Sequence, residues 1–306
     1  MVVHAMPSPE VIEQASHLFW NKLGGVTTSA ATPTDESMEN VRANIGRGHP
    51  WFHETCLIKD SDRLPGRIAL VGGGPSLKDT AVELLDFTNV MVCGSAHDWV
   101  MEHSPRVPRY CAVCDPDPVM ANYLRRPNKD TTYLIASQCN PTVFDALDGC
   151  NIVQWHCWPI GAATDTEKQF LQEHTPGWVA IGGGCTIGLR AISMAVMMGF
   201  LDLHFFGFDS CMTMENDHHA YPFTDPTKEF LGDVYDVRIG MGQVDGPGMK
   251  VYRVAGYQLA QAEHYKQTLM AFGGAFRPTF HGPGLLADMQ AIIDLETKRL
   301  REEEAA

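Results

Sequence analysis

The sequence predicts an α/β fold, with a mostly parallel sheet covered by helices on both faces and a helical N-terminal prefix. Three observations carry this. From Gly66 onward short apolar runs alternate with amphipathic segments, as strand–helix units require. The runs are nearly continuous in apolar character, as expected of strands buried on both faces. Glycine clusters follow several of them, where a strand must turn into a helix.

In chain order the strand candidates are Arg67-Ile-Ala-Leu-Val71, Asn89-Val-Met-Val-Cys93, the run from Tyr110 to Cys114, Thr132-Tyr-Leu-Ile-Ala136, Ile152-Val-Gln-Trp155, Leu203-His-Phe-Phe206 and residues 275–280. Ahead of them, residues 10–23 have helical periodicity and a Gly/Thr/Ser/Ala/Pro connection follows. A second helix candidate starts at Ser37, with Asn40 in place of the usual capping-box Glu. The expected division is a prefix over residues 1–60, packed on the core or on a partner, and one catalytic domain over residues 61–306.

Composition narrows the function. The 306 residues are 44% hydrophobic and 20% charged, an ordinary soluble globule with enough chain for a large core. Lys and Arg number 23 against 37 Asp and Glu, a formal charge of −14. Such a chain has no global attraction for duplex nucleic acid or an anionic membrane, so an anionic ligand needs a local site. No secretory signal is expected from the Met1-Val2-Val3-His4-Ala5-Met6-Pro7 start, and the longest apolar stretch, residues 191–208, is broken by Ser193, Asp202 and His204. Nine cysteines without framework spacing fit a reducing cytoplasm. Cys111 and Cys114 form a C-x-x-C on a strand, where residues three apart face opposite ways, so buried thiols are expected rather than a zinc site.

In parallel sheets ligands bind beyond the carboxyl ends of the strands, so the residues just after each strand are the candidates. The first strand runs into Gly72, Gly73, Gly74, Pro75 and Ser76, a loop whose backbone can approach a phosphate and whose Ser76 can cap a helix. It is neither a G-x-G-x-x-G nor a Walker loop, and a plain strand-to-helix turn explains it about as well. After the third strand, Asp115 and Asp117 could share a divalent cation with diphosphate oxygens, or simply form an Asp-Pro turn. A second cluster, Gly182 to Gly188, precedes an apolar, Met-rich helix and sets Thr186 and Gly188 at another anion-accepting helix start. Asp209 follows a buried strand, placed for a ribose, a metal or an acceptor, or for a turn. His218 and His219 are the candidates for a base titrating near neutrality, weighed against a merely solvated loop pair. Residues 224–248, rich in Gly, Asp and Pro, read as a lid.

Together Val71-Gly-Gly-Gly-Pro-Ser-Leu77, Thr186-Ile-Gly188, Gly199-Phe-Leu-Asp-Leu-His-Phe-Phe-Gly-Phe-Asp209 and Gly282-Pro-Gly-Leu-Leu-Ala287 resemble the 6-hydroxymethylpterin diphosphokinase MptE-like family, with kinship to Maf flagellin-modification proteins and bacterial sialyltransferases. The resemblance spans roughly residues 66–290. The prefix and Tyr133-Leu-Ile-Ala-Ser-Gln-Cys-Asn-Pro141 look closest to its phage-encoded branch. It implies a Rossmann-like fold and a cytoplasmic, magnesium-assisted transferase passing diphosphate from ATP to a hydroxymethyl-bearing acceptor. On that reading Gly72, Gly73, Gly74 and Ser76, with Gly94, Ser95, Thr186 and Gly188, meet the nucleotide. Asp115 and Asp117 hold magnesium, and Asp209, His218 and His219 serve the acceptor. Where the sialyltransferases carry Asn in the first loop and after the second strand, this chain has Gly73 and Gly94, which counts against a cytidine-sugar donor. The expected partners are a nucleotide, a small hydroxyl-bearing acceptor and, in a homo-oligomer, further copies of the chain. Two alternatives stand beside this reading: a glycosyltransferase using a nucleotide-sugar, acting on a phage base or a glycan, and an inert phage structural or assembly component.

Overall fold

The computed structural model describes residues 8–10, 12, 34–58, 66–157, 165–222, 233–240 and 249–304. Eight strands form one sheet, and every neighbouring pair in it is parallel: β1 (Arg67–Val71), β2 (Val90–Cys93), β3 (Tyr110–Val113), β4 (Thr132–Ala136), β5 (Asn151–Cys157), β6 (Ala180–Ile181), β7 (Asp202–Phe206) and β10 (Arg277–His281). Their order is β10-β7-β1-β2-β3-β4-β5-β6. The chain winds outward from β1 to β6, returns to the other side of β1 as β7, and ends on β10. The strand order therefore reverses between β1 and β7, the place where such sheets leave a crevice.

Ile68, Ala69, Leu70 and Val71 are fully buried, as are Val90, Met91, Val92, Tyr133, Leu134 and Ile135. That is why these strands read as continuous apolar runs rather than alternating ones. The connecting helices are α3 (Leu77–Thr80), α4 (His97–His103), α5 (Pro141–Asp145), α6 (Asp165–His174), α7 (Ile187–Met197), α8 (Gly256–Phe272) and α9 (Leu285–Glu304). The helix expected after β1 is a single α turn followed by a 3-10 helix, Ala81–Asp86. Two features were not legible. The two-residue strand β6 is too short for a pattern. An antiparallel hairpin pairs β8 (Val234–Ile239), inside the segment read as a lid, with β9 (Lys250–Ala255), just beyond it, and exposes Val234, Tyr235 and Val251. The rest of that segment, and nearly all of the helix expected over residues 10–23, lie outside the described residues. Among the described residues, no helix is long and apolar enough to cross a membrane.

The prefix contributes α1 (Thr34–Ile45) and α2 (Phe52–Thr55). Asn40 does not close a capping box. Its amide donates to the Gln138 carbonyl at 3.1 Å, and the Asn44 amide donates to the Ser137 and Cys139 carbonyls at 3.0 and 2.8 Å. Residues 137–139 follow β4, so α1 closes the carboxyl edge of the sheet there. Gln154 returns the contact, donating its side-chain amide to the Asn44 carbonyl at 2.9 Å and its N–H to the Pro50 carbonyl at 2.8 Å. An Asn44→Ala protein leaves two buried carbonyls without their donor. We expect it to lose about 1–3 kcal/mol in a urea titration.

Candidate functional site

A cavity of about 180 Å³ opens at the β1/β7 reversal. Its wall includes Gly72, Gly73, Gly74, Ser95, Thr186, Gly188, Asp209, His218 and His219, so most of the residues singled out in the sequence meet in one place. They arrive from the loops after β1, β2 and β7 and from the start of α7.

The glycine loop is shaped first by its neighbour. Gly72 N–H donates to Phe206 O, Gly74 N–H to Gly207 O, and Ala220 N–H to Gly73 O, each at 2.8 Å. A Cβ on Gly72 would lie 2.6 Å from the Gly207 carbonyl oxygen, and one on Gly74 2.7 Å from the Asp209 carboxyl carbon. The loops after β1 and β7 thus lie backbone against backbone. A Cβ on Gly73 would lie 2.3 Å from the Tyr221 hydroxyl, so the space an asparagine side chain would need there is filled by tyrosine. A Cβ on Gly94, which has φ +52, would meet Ile187 at 3.2 Å.

Asp209 is the only carboxylate on the cavity wall among the described residues, and it is 6% exposed. Its two oxygens accept from Ser76, one from the N–H at 2.7 Å and one from the hydroxyl at 2.5 Å. Ser76 does not cap a helix with its side chain; it anchors Asp209. Burial pushes the Asp209 carboxyl up to about 6, against the opposing pull of the two Ser76 contacts. The Asp209 carbonyl accepts Leu285 N–H at 2.7 Å, and a Cβ on Gly284 would lie 2.6 Å from the Asp209 Cα. The next residue, Ser210, sits at φ +51 and is held by its hydroxyl, which donates to Gln258 O at 3.0 Å and Gln261 Oε1 at 2.8 Å. This backbone strain beside a buried acid is the kind found at functional sites. All four sequence blocks therefore converge on Asp209 or on the cavity it faces.

Thr186 is the N-cap of α7, its hydroxyl accepting Leu189 N–H, while its carbonyl accepts Arg190 N–H. The positive end of that 11-residue helix borders the cavity through Thr186, Ile187 and Gly188. His218 and His219 pack ring against ring at 4.5 Å, and His219 lies 5.1 Å from Tyr221. Burial and the neighbouring His218 hold His219 down to about 3, so it stays neutral at physiological pH. Of the two side chains, Asp209 titrates far closer to the pH at which a base must work.

Asp115 and Asp117 are not on the cavity wall. Asp115 accepts the N–H of Asp117, and Asp117 accepts that of Val119, each at 2.9 Å, as turn and cap residues do. Among the described residues no group of three or more His, Cys, Asp or Glu could hold a metal ion. Both Asp209 oxygens are already engaged by Ser76, so the cavity's own donors do not make a resident magnesium site, and no step below runs through one. The nine cysteines are free, and burial pushes the Cys111 and Cys114 thiols well up, away from thiolate ligation.

Sequence reasoning missed Tyr221, Ser210, and the start of α8 with Tyr257, Gln258 and Gln261, all on the wall or bonded to it. Tyr221 directly follows the His-His-Ala run, but only the fold brings its hydroxyl to Ser95 Oγ, at 2.7 Å.

The solved structure of a Maf glycosyltransferase from Magnetospirillum magneticum AMB-1 is similar with a TM-score of 0.58 at 16% identity, over 88% of this chain and 42% of that one. The chain thus spans less than half the length of that protein, and the likeness shows a Rossmann-like fold. Weaker matches are a mammalian sialyltransferase (TM-score 0.39, 9% identity, 92% of this chain and 87% of that one) and the Campylobacter jejuni sialyltransferase CstII, solved with cytidine-5'-monophosphate (0.38, 13%, 74% and 84%). No curated protein sequence matches the chain. A family model described as 6-hydroxymethylpterin diphosphokinase MptE-like matches residues 50–215, more than half of the chain, from Pro50 beside β5 through Asp209, and the protein belongs to that family.

Proposed function

We propose that the protein is a nucleotide-dependent transferase that passes diphosphate from ATP to a small hydroxyl-bearing acceptor. The observation that carries the reading is Asp209. It is a buried carboxylate, held by Ser76 and pushed up to about 6, on the wall of a cavity that the N-terminus of α7 also borders. Donor phosphates sit against the start of α7, where N–H groups and the helix dipole favour negative charge. The acceptor hydroxyl faces Asp209, which is ionised above about pH 6. Its oxygen attacks the β-phosphorus of ATP and forms the new O–P bond. The bond from that phosphorus to the oxygen it shares with the α-phosphate breaks, AMP leaves, and the hydroxyl proton passes to Asp209. Positioning and electrostatics supply most of such a rate enhancement.

Glycosyl transfer from a nucleotide-sugar uses the same base and the same phosphate seat. It is favoured by one observation: among the described residues the wall offers a single carboxylate, enough for a base but not for a base and a metal set together. A thermal-shift panel separates the two. A ligand at a hundred times its Kd adds about 2.7 kcal/mol, several degrees for a chain of this size. Stabilisation by ATP with magnesium but by no nucleotide-sugar is the expected result, and the reverse pattern selects glycosyl transfer. No shift with any nucleotide would sink both and leave the inert reading.

A further inference from the structure

The cavity at Asp209 is too small for two substrates. Small-molecule sites usually enclose about 300–1,000 Å³, and this one encloses about 180 Å³, room for the reacting groups only. Beside it lies an open chamber of about 590 Å³, lined by residues that follow β2, β3 and β7 at the same edge of the sheet. The two share Ser95, and the Ser95–Tyr221 hydrogen bond stands between them.

The chamber has a definite chemistry. Trp99 and His103 stack at 4.6 Å with planes 12° apart, and Tyr123 meets Tyr221 edge on at 6.3 Å, so aromatic rings form part of the lining. Its charges are unevenly used. The Asp98 carboxylate accepts the backbone N–H groups of Arg125 and Arg126 at 2.9 and 3.2 Å and faces His97 Nδ1 at 2.8 Å. Glu102 pairs with Arg126 at 3.2 Å. The Arg125 guanidinium is left with the neutral Asn122 amide oxygen, at 3.3 Å, and meets no carboxylate among the described residues. In a chain with a formal charge of −14, an arginine whose guanidinium pairs with no carboxylate among the described residues, beside aromatic rings, is suited to an anion that arrives with a ring.

We propose that this chamber seats the body of the acceptor, an aromatic molecule bearing an acidic group that pairs with Arg125 while its hydroxyl reaches past Ser95 and Tyr221 toward Asp209. The assignment rests on the transferase reading above and adds the acceptor's class to it. The probe is 1-naphthyl phosphate, with uncharged 1-naphthol as its control, titrated calorimetrically into the full chain with and without saturating ATP. We expect naphthyl phosphate to bind at least tenfold more tightly than naphthol, and equally well with ATP present. Arg125→Gln should weaken it about tenfold and leave the ATP-induced thermal shift unchanged, and Trp99→Leu should weaken both probes. Binding indifferent to Arg125→Gln, or displaced by ATP, overturns the acceptor seat. So does no binding in a protein that ATP still stabilises, an outcome that leaves the transferase reading standing. Failure of every nucleotide to stabilise the protein counts against that reading itself.

Discussion

An Asp209→Asn protein is expected to lose activity by a factor of about 10²–10⁴ while keeping or gaining stability. On the proposed mechanism, the rate loss follows from removing the only carboxylate that the described residues place on the cavity wall to take the acceptor proton. The stability follows from the environment that makes it a base. Its carboxyl is pushed from 3.8 up to about 6 by burial, so the folded state binds that proton more tightly than the unfolded chain does. The associated stabilisation is fully present below about pH 4 and is lost as pH rises through 6. By pH 8 the ionised group costs the fold roughly 3 kcal/mol. An amide never ionises, and it retains both Ser76 contacts: its oxygen accepts the Ser76 N–H and its NH₂ donates to the hydroxyl. The melting temperature at pH 8 should therefore match or exceed that of the wild type, and the wild-type rate should fall tenfold per pH unit below about 6. A variant that keeps wild-type kcat, or a pH profile flat from 5 to 8, would remove Asp209 from the chemistry.

Gly72→Ala is expected to damage the fold, in contrast to a glycine substitution in these loops whose Cβ meets open space. The new Cβ would lie 2.6 Å from the Gly207 carbonyl oxygen and 3.2 Å from the Phe208 ring. The oxygen cannot swing away, because β1 and β7 are locked in register from Arg67 beside Asp202 to Val71 beside Phe206. Relief means parting the two loops and weakening the Gly72 and Gly74 N–H bonds to Phe206 and Gly207. Overpacking and two disturbed buried hydrogen bonds together cost about 2–5 kcal/mol, a large part of a domain's usual 5–15 kcal/mol. We expect a melting temperature lower by about 10 °C, or aggregation on expression. Gly182→Ala is the control, because a Cβ there meets nothing within 4 Å and its melting temperature should stay put. Equal stability of the two variants would refute the close-approach account of the first glycine loop.

These two residues show what kind of information the chain carries in one dimension. Val71-Gly-Gly-Gly marks a strand that ends in a tight turn, and that much is local. That Gly72 answers to Gly207, 135 positions away, depends on β7 returning to lie beside β1, which no periodicity encodes. Asp209 was legible as a carboxylate after a buried strand, but its partner Ser76 was read as a helix cap. The hydroxyl instead reaches across the strand-order reversal to the Asp209 carboxylate. His219 was the reverse case. Its imidazole reads as a base near neutrality, and burial beside His218 lowers its proton affinity to about 3.

The sequence by itself determined the α/β class, the parallel sheet and the strand ends where chemistry could sit. Burying apolar runs on both faces and turning after each is a local requirement, written residue by residue. Which strand ends meet was decided only by the tertiary structure. Strand order sets Asp209 beside Ser76 and the start of α7, and α1 closes the edge beyond β4. Burial then fixes the proton affinities, because a carboxylate's pKa depends on the low-dielectric surroundings and hydrogen-bond donors that folding assembles around it.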